Sequence, residues 1–147
     1  MELSPVYPMN IALLLKDSEL SPTILEDRSE YIQTVRQGIS GKIVERAVKV
    51  LGEREFFVRL LSTSSGNLNR LYRSPSLSRV QTEGILDTLK VFDKAINVFG
   101  NEEIAKEWLH TSIPALDGEL PLDLCDTFEG RRLVKESLEA IEYGEFT

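Results

Sequence analysis

The chain has 147 residues, 41% of them hydrophobic, and a formal net charge of −7. That length fits one domain or two small ones sharing a core, and that apolar content excludes disorder throughout. One cysteine, Cys125, excludes an intrachain disulfide framework. With one histidine, His110, it also leaves no usual zinc site, which takes about four ligands drawn mainly from Cys and His, and no spacing of carboxylates suggests another metal.

Periodicity is helical almost throughout, with no clear alternating strand pattern, so the predicted class is all-α. The first twenty residues are ambiguous: Pro5 and Pro8 interrupt regular structure, and Ile11-Ala12-Leu13-Leu14-Leu15 fits a strand or one helical turn. That run is far shorter than the roughly 20 residues a membrane span needs. No basic n-region precedes it and no small-residue cleavage pattern follows, so the expected location is cytoplasmic. Ser21-Pro22 reads as N-cap and first residue of a helix reaching Gln37, with Gly38 ending it. Ser40 restarts the chain, Val44, Ala47, Val48 and Leu51 line one helical face, and Gly52 stands at a left-handed C-cap position. Arg54–Leu61 and Gly66–Arg73 read as short helices, the first carrying Phe56, Phe57, Leu60 and Leu61, the second burying Leu68 and Leu71. Ser78 caps a long helix over 79–99, with Val80, Leu86, Leu89, Phe92, Ile96 and Phe99 as its apolar positions. Asn101 caps the next, which presents Ile104, Ala105, Trp108 and Leu109, with Pro114 ending it and Asp117-Gly118 as a turn. Pro121 starts a short helix, and Thr127 caps a last one with Leu133, Val134, Leu138 and Ile141 inward, ended by Gly144.

Charge is segregated along the chain. Residues 1–35 carry two basic and six acidic groups, residues 36–90 ten basic and five acidic, and residues 91–147 five basic and thirteen acidic. A positive middle between negative ends can attract phosphate by Coulomb force and counterion release. Within that middle, the two short helices at 54–61 and 66–73 have the dimensions of a helix-turn-helix, whose second helix enters the major groove. Asn67 and Asn69 match an adenine edge, and Arg70 and Arg73 suit guanine or phosphate. Ser64 and Ser65 lie at a helix N-terminus, where free backbone N–H groups favour a phosphate. Arg46, Lys49 and Arg59 are candidates for backbone phosphates. Spacing and composition alone leave a second reading, a small bundle of short helices with ordinary polar surface.

The C-terminal third is more distinctive. The string Val98-Phe99-Gly100-Asn101-Glu102-Glu103-Ile104-Ala105-Lys106-Glu107-Trp108-Leu109 resembles the "FG…A…WL" signature of the Xre/MbcA/ParS antitoxin toxin-binding domain. Pro114-Ala115-Leu116-Asp117-Gly118-Glu119-Leu120-Pro121-Leu122-Asp123-Leu124 is similar to that family's "P-x-L-x-G-x-x-P-x-x-L" element. Gly130 and Val134 stand at its "G…V" positions, and Ile141-Glu142-Tyr143-Gly144 at its "I-x-x-G" ending. Residues 41–100 match, more weakly, the Xre-like helix-turn-helix that precedes this domain, departing where the usual "LLGIS" turn reads Leu60-Leu61-Ser62-Thr63-Ser64. The resemblance implies three parts: an N-terminal extension over 1–35, an Xre-like helix-turn-helix domain over 36–84, and a small helical toxin-binding and dimerisation domain over 85–147.

It further implies a DNA-binding homodimer that represses its own operon and neutralises a toxin, commonly a RES-domain protein that consumes NAD⁺. Carried onto this chain, Glu142, Tyr143, Gly144, Glu145, Phe146 and Thr147 become the segment that blocks the toxin's active-site entrance. Acidic groups suit a phosphate-binding pocket, and Tyr143 and Phe146 add large apolar contacts. Trp108 reads first as a core anchor and second as a toxin contact. Arg131 and Arg132 occupy a helix first turn, where positive charge is mildly unfavourable, which points to a partner or to a solvated surface. No phosphate loop, carboxylate pair or nucleophile–base constellation stands out, so no enzyme activity and no cofactor are expected. A helix-turn-helix repressor without a toxin partner is the alternative reading, and a helical adaptor that binds protein and not DNA is a third.

Overall fold

A computed structural model describes residues 9–16 and 18–144. All regular structure among them is helical: α1 Met9–Leu15, α2 Arg28–Gln37, α3 Gly41–Leu51, α4 Arg54–Leu60, α5 Ser65–Tyr72, α6 Arg79–Phe99, α7 Glu102–Leu109, a 3₁₀ turn Pro114–Leu116, α8 Pro121–Leu124 and α9 Phe128–Glu142. No helix among the described residues is long and apolar enough to cross a membrane. The chain divides into two compact units, Met1–Leu86 and Asp87–Thr147, with the boundary inside α6.

In the first unit the ambiguous apolar run is helical, and Ile11, Leu14 and Leu15 of α1 are buried, with α1 packed on α3. The helix expected from Pro22 starts at Arg28 instead. Ser21 does cap a turn, its Oγ accepting from the Thr23 amide at 3.2 Å. That turn closes with the Asp27 amide on the Thr23 carbonyl at 2.9 Å and buries Ile24 and Leu25. Asp27 then becomes the N-cap of α2, accepting from the Glu30 amide at 3.0 Å. Gly38 ends α2 at φ 85°.

Ser40 caps α3, whose Ile43, Val44, Ala47 and Leu51 form one buried stripe. Gly52 follows with positive φ (79°) but ψ −142°, outside the left-handed helical region expected for it. α3 packs on α5 at close range. A Cβ on Gly41 would stand 1.8 Å from the Leu71 carbonyl oxygen, so only glycine fits there. The Gly41 amide donates to the Ser74 carbonyl at 2.8 Å and the Leu77 amide to the Ile39 carbonyl at 2.8 Å, which pins the chain leaving α5 against the start of α3. Ser78 and Gln81 cap α6 reciprocally, side chain to backbone at 3.1 Å each way. Val80, counted among the apolar positions of this helix, is 83% exposed.

In the second unit Leu89, Phe92, Ala95 and Ile96 of α6 are buried, with Ala105 and Leu109 of α7, Leu116, Leu122, Cys125, Val134 and Leu138. α7 ends at Leu109, and Pro114 opens the 3₁₀ turn rather than stopping α7. Asn101 accepts from the Ile104 amide at 2.9 Å and Thr127 from the Gly130 amide at 3.0 Å, so both expected caps form. Gly130 lies where a Cβ would be 1.6 Å from the Leu124 carbonyl oxygen, which sets how closely α9 approaches the end of α8.

Candidate functional site

Two surfaces carry the residues singled out from the sequence. The first is α4, the link 61–64 and α5. Leu61 is buried and anchors the link. Ser62 turns the chain with φ 51°, a left-handed conformation at the place where the sequence pattern calls for glycine. The turn therefore forms without glycine. The Thr63 amide closes it on the Val58 carbonyl at 3.1 Å, and Ser64 caps α5 by accepting from the Asn67 amide at 3.2 Å. Arg54 clasps the two helices, donating from Nη2 to the Ser65 carbonyl at 2.9 Å and from Nη1 to the Tyr72 hydroxyl at 3.2 Å.

Leu68 is fully buried, and it turns the opposite arc of α5 to solvent. Ser64, Ser65, Asn67, Asn69, Arg70 and Arg73 are all exposed there. Leu71, expected to be buried, is half-buried. Lys49 is exposed on α3. Arg59 is exposed and its guanidinium lies 5.8 Å over the Phe56 ring, which holds it in place on α4. Arg46 is placed differently from its companions. It is half-buried and donates to the carbonyls of Leu14 and Lys16 at the end of α1, so in this structure it ties α1 to α3. Lys42, Glu45, Asn69, Tyr72 and Arg73 line an open groove alongside α5.

The second surface belongs to α7 and α9. Trp108 is half-buried with its ring centroid 5.7 Å from that of Phe99, so it anchors the turn from α6 into α7 while part of it meets solvent. Arg132 is exposed and pairs along its own helix with Glu129 at 3.6 Å and Glu136 at 3.5 Å. Such surface pairs contribute little stability. Glu142 pairs with Lys94 at 3.6 Å, Tyr143 is 71% exposed, and Gly144 has φ 69°. Glu145, Phe146 and Thr147, named above as part of the blocking segment, lie outside the described residues.

Arg131 departs from the expectation of a solvated residue. It is 5% exposed, with Nε 2.7 Å from Asp87 Oδ2 and Nη1 donating to the Cys125 carbonyl at 2.9 Å. Lys135, one turn later, pairs with the other oxygen of Asp87. Burial alone would push the Asp87 carboxyl up, but hydrogen bonds from Lys135 and Arg131, with their charges, hold it below its ordinary value. Cys125 is pushed up to about 12 by burial, so its thiol stays neutral and unreactive.

Two hydrophobic residues not named for this surface also stand exposed on α9. Phe128 is 63% exposed, and Leu133, expected inward, is 40% exposed. The signal was present in the spacing. Arg131, Val134 and Leu138 form the buried stripe at intervals of three and four, and Leu133 lies about 100° of helical turn from Val134.

Residues 94–144 match the family model of the antitoxin Xre/MbcA/ParS C-terminal toxin-binding domain. The match begins in the last third of α6 and ends just after α9. The chain is also 28% identical over 129 residues to the Prs ADP-ribosylating antitoxin of Sphingobium sp. (strain YBL2), covering 80% of either chain.

Proposed function

We propose that this chain, whose residues 94–144 match the model of the Xre/MbcA/ParS C-terminal toxin-binding domain, acts as the antitoxin of a type II toxin–antitoxin pair. It neutralises an NAD⁺-consuming toxin of the RES type by direct binding. The segment Glu142–Thr147 covers the toxin's active-site entrance, and Trp108, Arg132 and the exposed face of α9 supply flanking contacts. The relative is named the Prs ADP-ribosylating antitoxin, and ADP-ribosyl transfer draws on NAD⁺. A pocket for that dinucleotide presents cationic groups to its phosphates, and the C-terminal third of this chain carries thirteen acidic groups against five basic.

The same protein represses its own operon, in this reading as a homodimer in the cytoplasm. α5 is the groove-reading helix, with Asn67, Asn69, Arg70 and Arg73 on its exposed arc and Ser64 and Ser65 at its N-terminus. Two copies place two such helices on successive half-sites. No catalytic role is assigned to any residue.

The observation that carries the proposal is the domain match over residues 94–144, from the end of α6 through α9, with Tyr143 exposed near its close. Co-expression with the reading frame beside this gene tests it. Deleting residues 142–147 is expected to abolish growth rescue from the neighbouring toxin and to leave binding to the chain's own promoter unchanged. Full rescue by the truncated chain refutes the blocking role of the segment. Absence of any complex between the intact chain and that neighbour refutes the antitoxin reading.

A further inference from the structure

We propose that Asp87 is a positioning residue for toxin neutralisation. Through Arg131 and Lys135 it sets the rotation and axial register of α9, so that Phe128, Leu133 and the chain's exit at Tyr143 stand where the toxin meets them. This rests on the reading of α9 and its tail as toxin-facing.

The case begins with where the charges are. Asp87 is 6% exposed and Arg131 5% exposed. Removing such a pair from water costs several kcal/mol per ion, and apolar residues of similar size are often neutral or better for stability. Arg131 also sits in the first turn of α9, where the helix dipole disfavours a cation. Neither burial nor helix stability therefore accounts for these groups. Geometry does. The apolar stripe of α9 is thin: Val134 and Leu138 are fully buried and Ile141 half-buried. Hydrophobic contact is non-directional and tolerates a shift along or around the helix axis.

The charged contacts do not tolerate such a shift. Arg131 is held on two sides, by Asp87 Oδ2 at 2.7 Å and by the Cys125 carbonyl at 2.9 Å. Lys135 takes the other oxygen of the same carboxylate. Two donors four residues apart on α9, converging on one carboxylate of α6, are satisfied at one rotation and one register. The Lys94–Glu142 pair at 3.6 Å adds a tie between the same two helices at the end from which the tail departs.

The test compares the intact chain with Asp87→Leu/Arg131→Met/Lys135→Leu and with Lys135→Met alone, using the toxin encoded beside this gene. Melting temperature, Kd for the toxin and inhibition of toxin activity are read for each. The triple variant is expected to melt at or above the wild-type temperature while inhibiting at least tenfold less well. Lys135→Met, which leaves Asp87 and Arg131 paired, is expected to lose about threefold. A merely structural network would lower the melting temperature and leave inhibition by the folded protein unchanged. That result, or wild-type inhibition by the folded triple variant, overturns the proposal. Should the triple variant fail to fold, wild-type inhibition by Lys135→Met overturns it. Phe128→Ala/Leu133→Ala and the 142–147 deletion run alongside. If both inhibit normally, the toxin-facing reading of α9 is what has failed; if either weakens inhibition and the charge variants do not, the role of Asp87 has failed.

Discussion

Ser62 and Asp87 each hold an unusual state, one of backbone and one of charge. Ser62 adopts φ 51° between α4 and α5, and an L-residue with a Cβ is strained there by about 1–2 kcal/mol. Glycine relieves the strain but raises the entropy of the unfolded chain, at a cost of about 0.5–1 kcal/mol. The balance favours glycine, so Ser62→Gly is expected to raise stability by roughly 0.5–1 kcal/mol, read as a higher urea midpoint at unchanged slope. A midpoint lowered by the full entropic cost of about 0.5–1 kcal/mol shows that the serine carries no strain. Asp87 is held below its ordinary value of 3.8 by Lys135 and Arg131. Its folded form therefore binds its proton less readily than its unfolded form. The stabilisation is complete above the unfolded value and is lost as pH falls through the folded one. Unfolding of the second unit is expected to become easier below about pH 4, and Asp87→Asn to flatten that acid limb. A parallel acid limb in the variant would assign the loss to other carboxylates.

The elements show which sequence signals carry physical force. Gly130 is the clearest case: α9 meets α8 so closely that a Cβ there would stand 1.6 Å from the Leu124 carbonyl oxygen. Gly130→Ala is expected to destabilise the second unit by about 1–3 kcal/mol through this overlap, measured as a lower denaturation midpoint. A midpoint at or above wild type, the ordinary gain for Gly→Ala inside a helix, shows that the two helices separate freely. Caps and glycines were legible in the sequence because their effect is local. Ser78, Asn101 and Thr127 each satisfy an orphan amide at the helix start where the sequence places a cap, and Ser40 does so where the chain restarts, whereas α5 opens at Ser65 with Ser64 as its cap, one residue before the expected start at Gly66. Side chains whose partners lie far along the chain were not legible. Arg131 meets Asp87 across 44 residues and Arg46 meets the Leu14 carbonyl across 32. Helical spacing puts Arg131 in line with Val134 and Leu138, but it does not name the distant carboxylate that lets a charged side chain stay there. The false start at Pro22 has a similar origin. Ser21-Pro22 is a good helix opening, but the turn it starts closes once Ile24 and Leu25 are buried, and Asp27 caps the helix that follows.

For the whole molecule, the division of charge along the chain parallels the two proposed activities. The basic block of residues 36–90 contains α3, α4 and α5, and the acidic block of residues 91–147 contains α7 to α9. A polyanion such as DNA is attracted to the first and repelled by the second, whereas a cationic pocket is drawn to the second. The proposed activities are therefore expected to be separable by substitution. Arg70 is the sharpest probe, because it is exposed on α5 and remote in sequence from residues 94–144, the segment that matches the toxin-binding domain model. Arg70→Ala is expected to weaken binding to a fragment of the chain's own promoter by about 1–3 kcal/mol if it reads a base. If it contacts a phosphate, the slope of log affinity against log salt drops by about one. Either way, inhibition of the neighbouring toxin by Arg70→Ala should match that of the unaltered chain. Promoter binding that is unchanged in strength and in salt slope removes α5 as the DNA-reading helix. A parallel loss of inhibition shows that both activities depend on one surface, which the separation of charge does not predict.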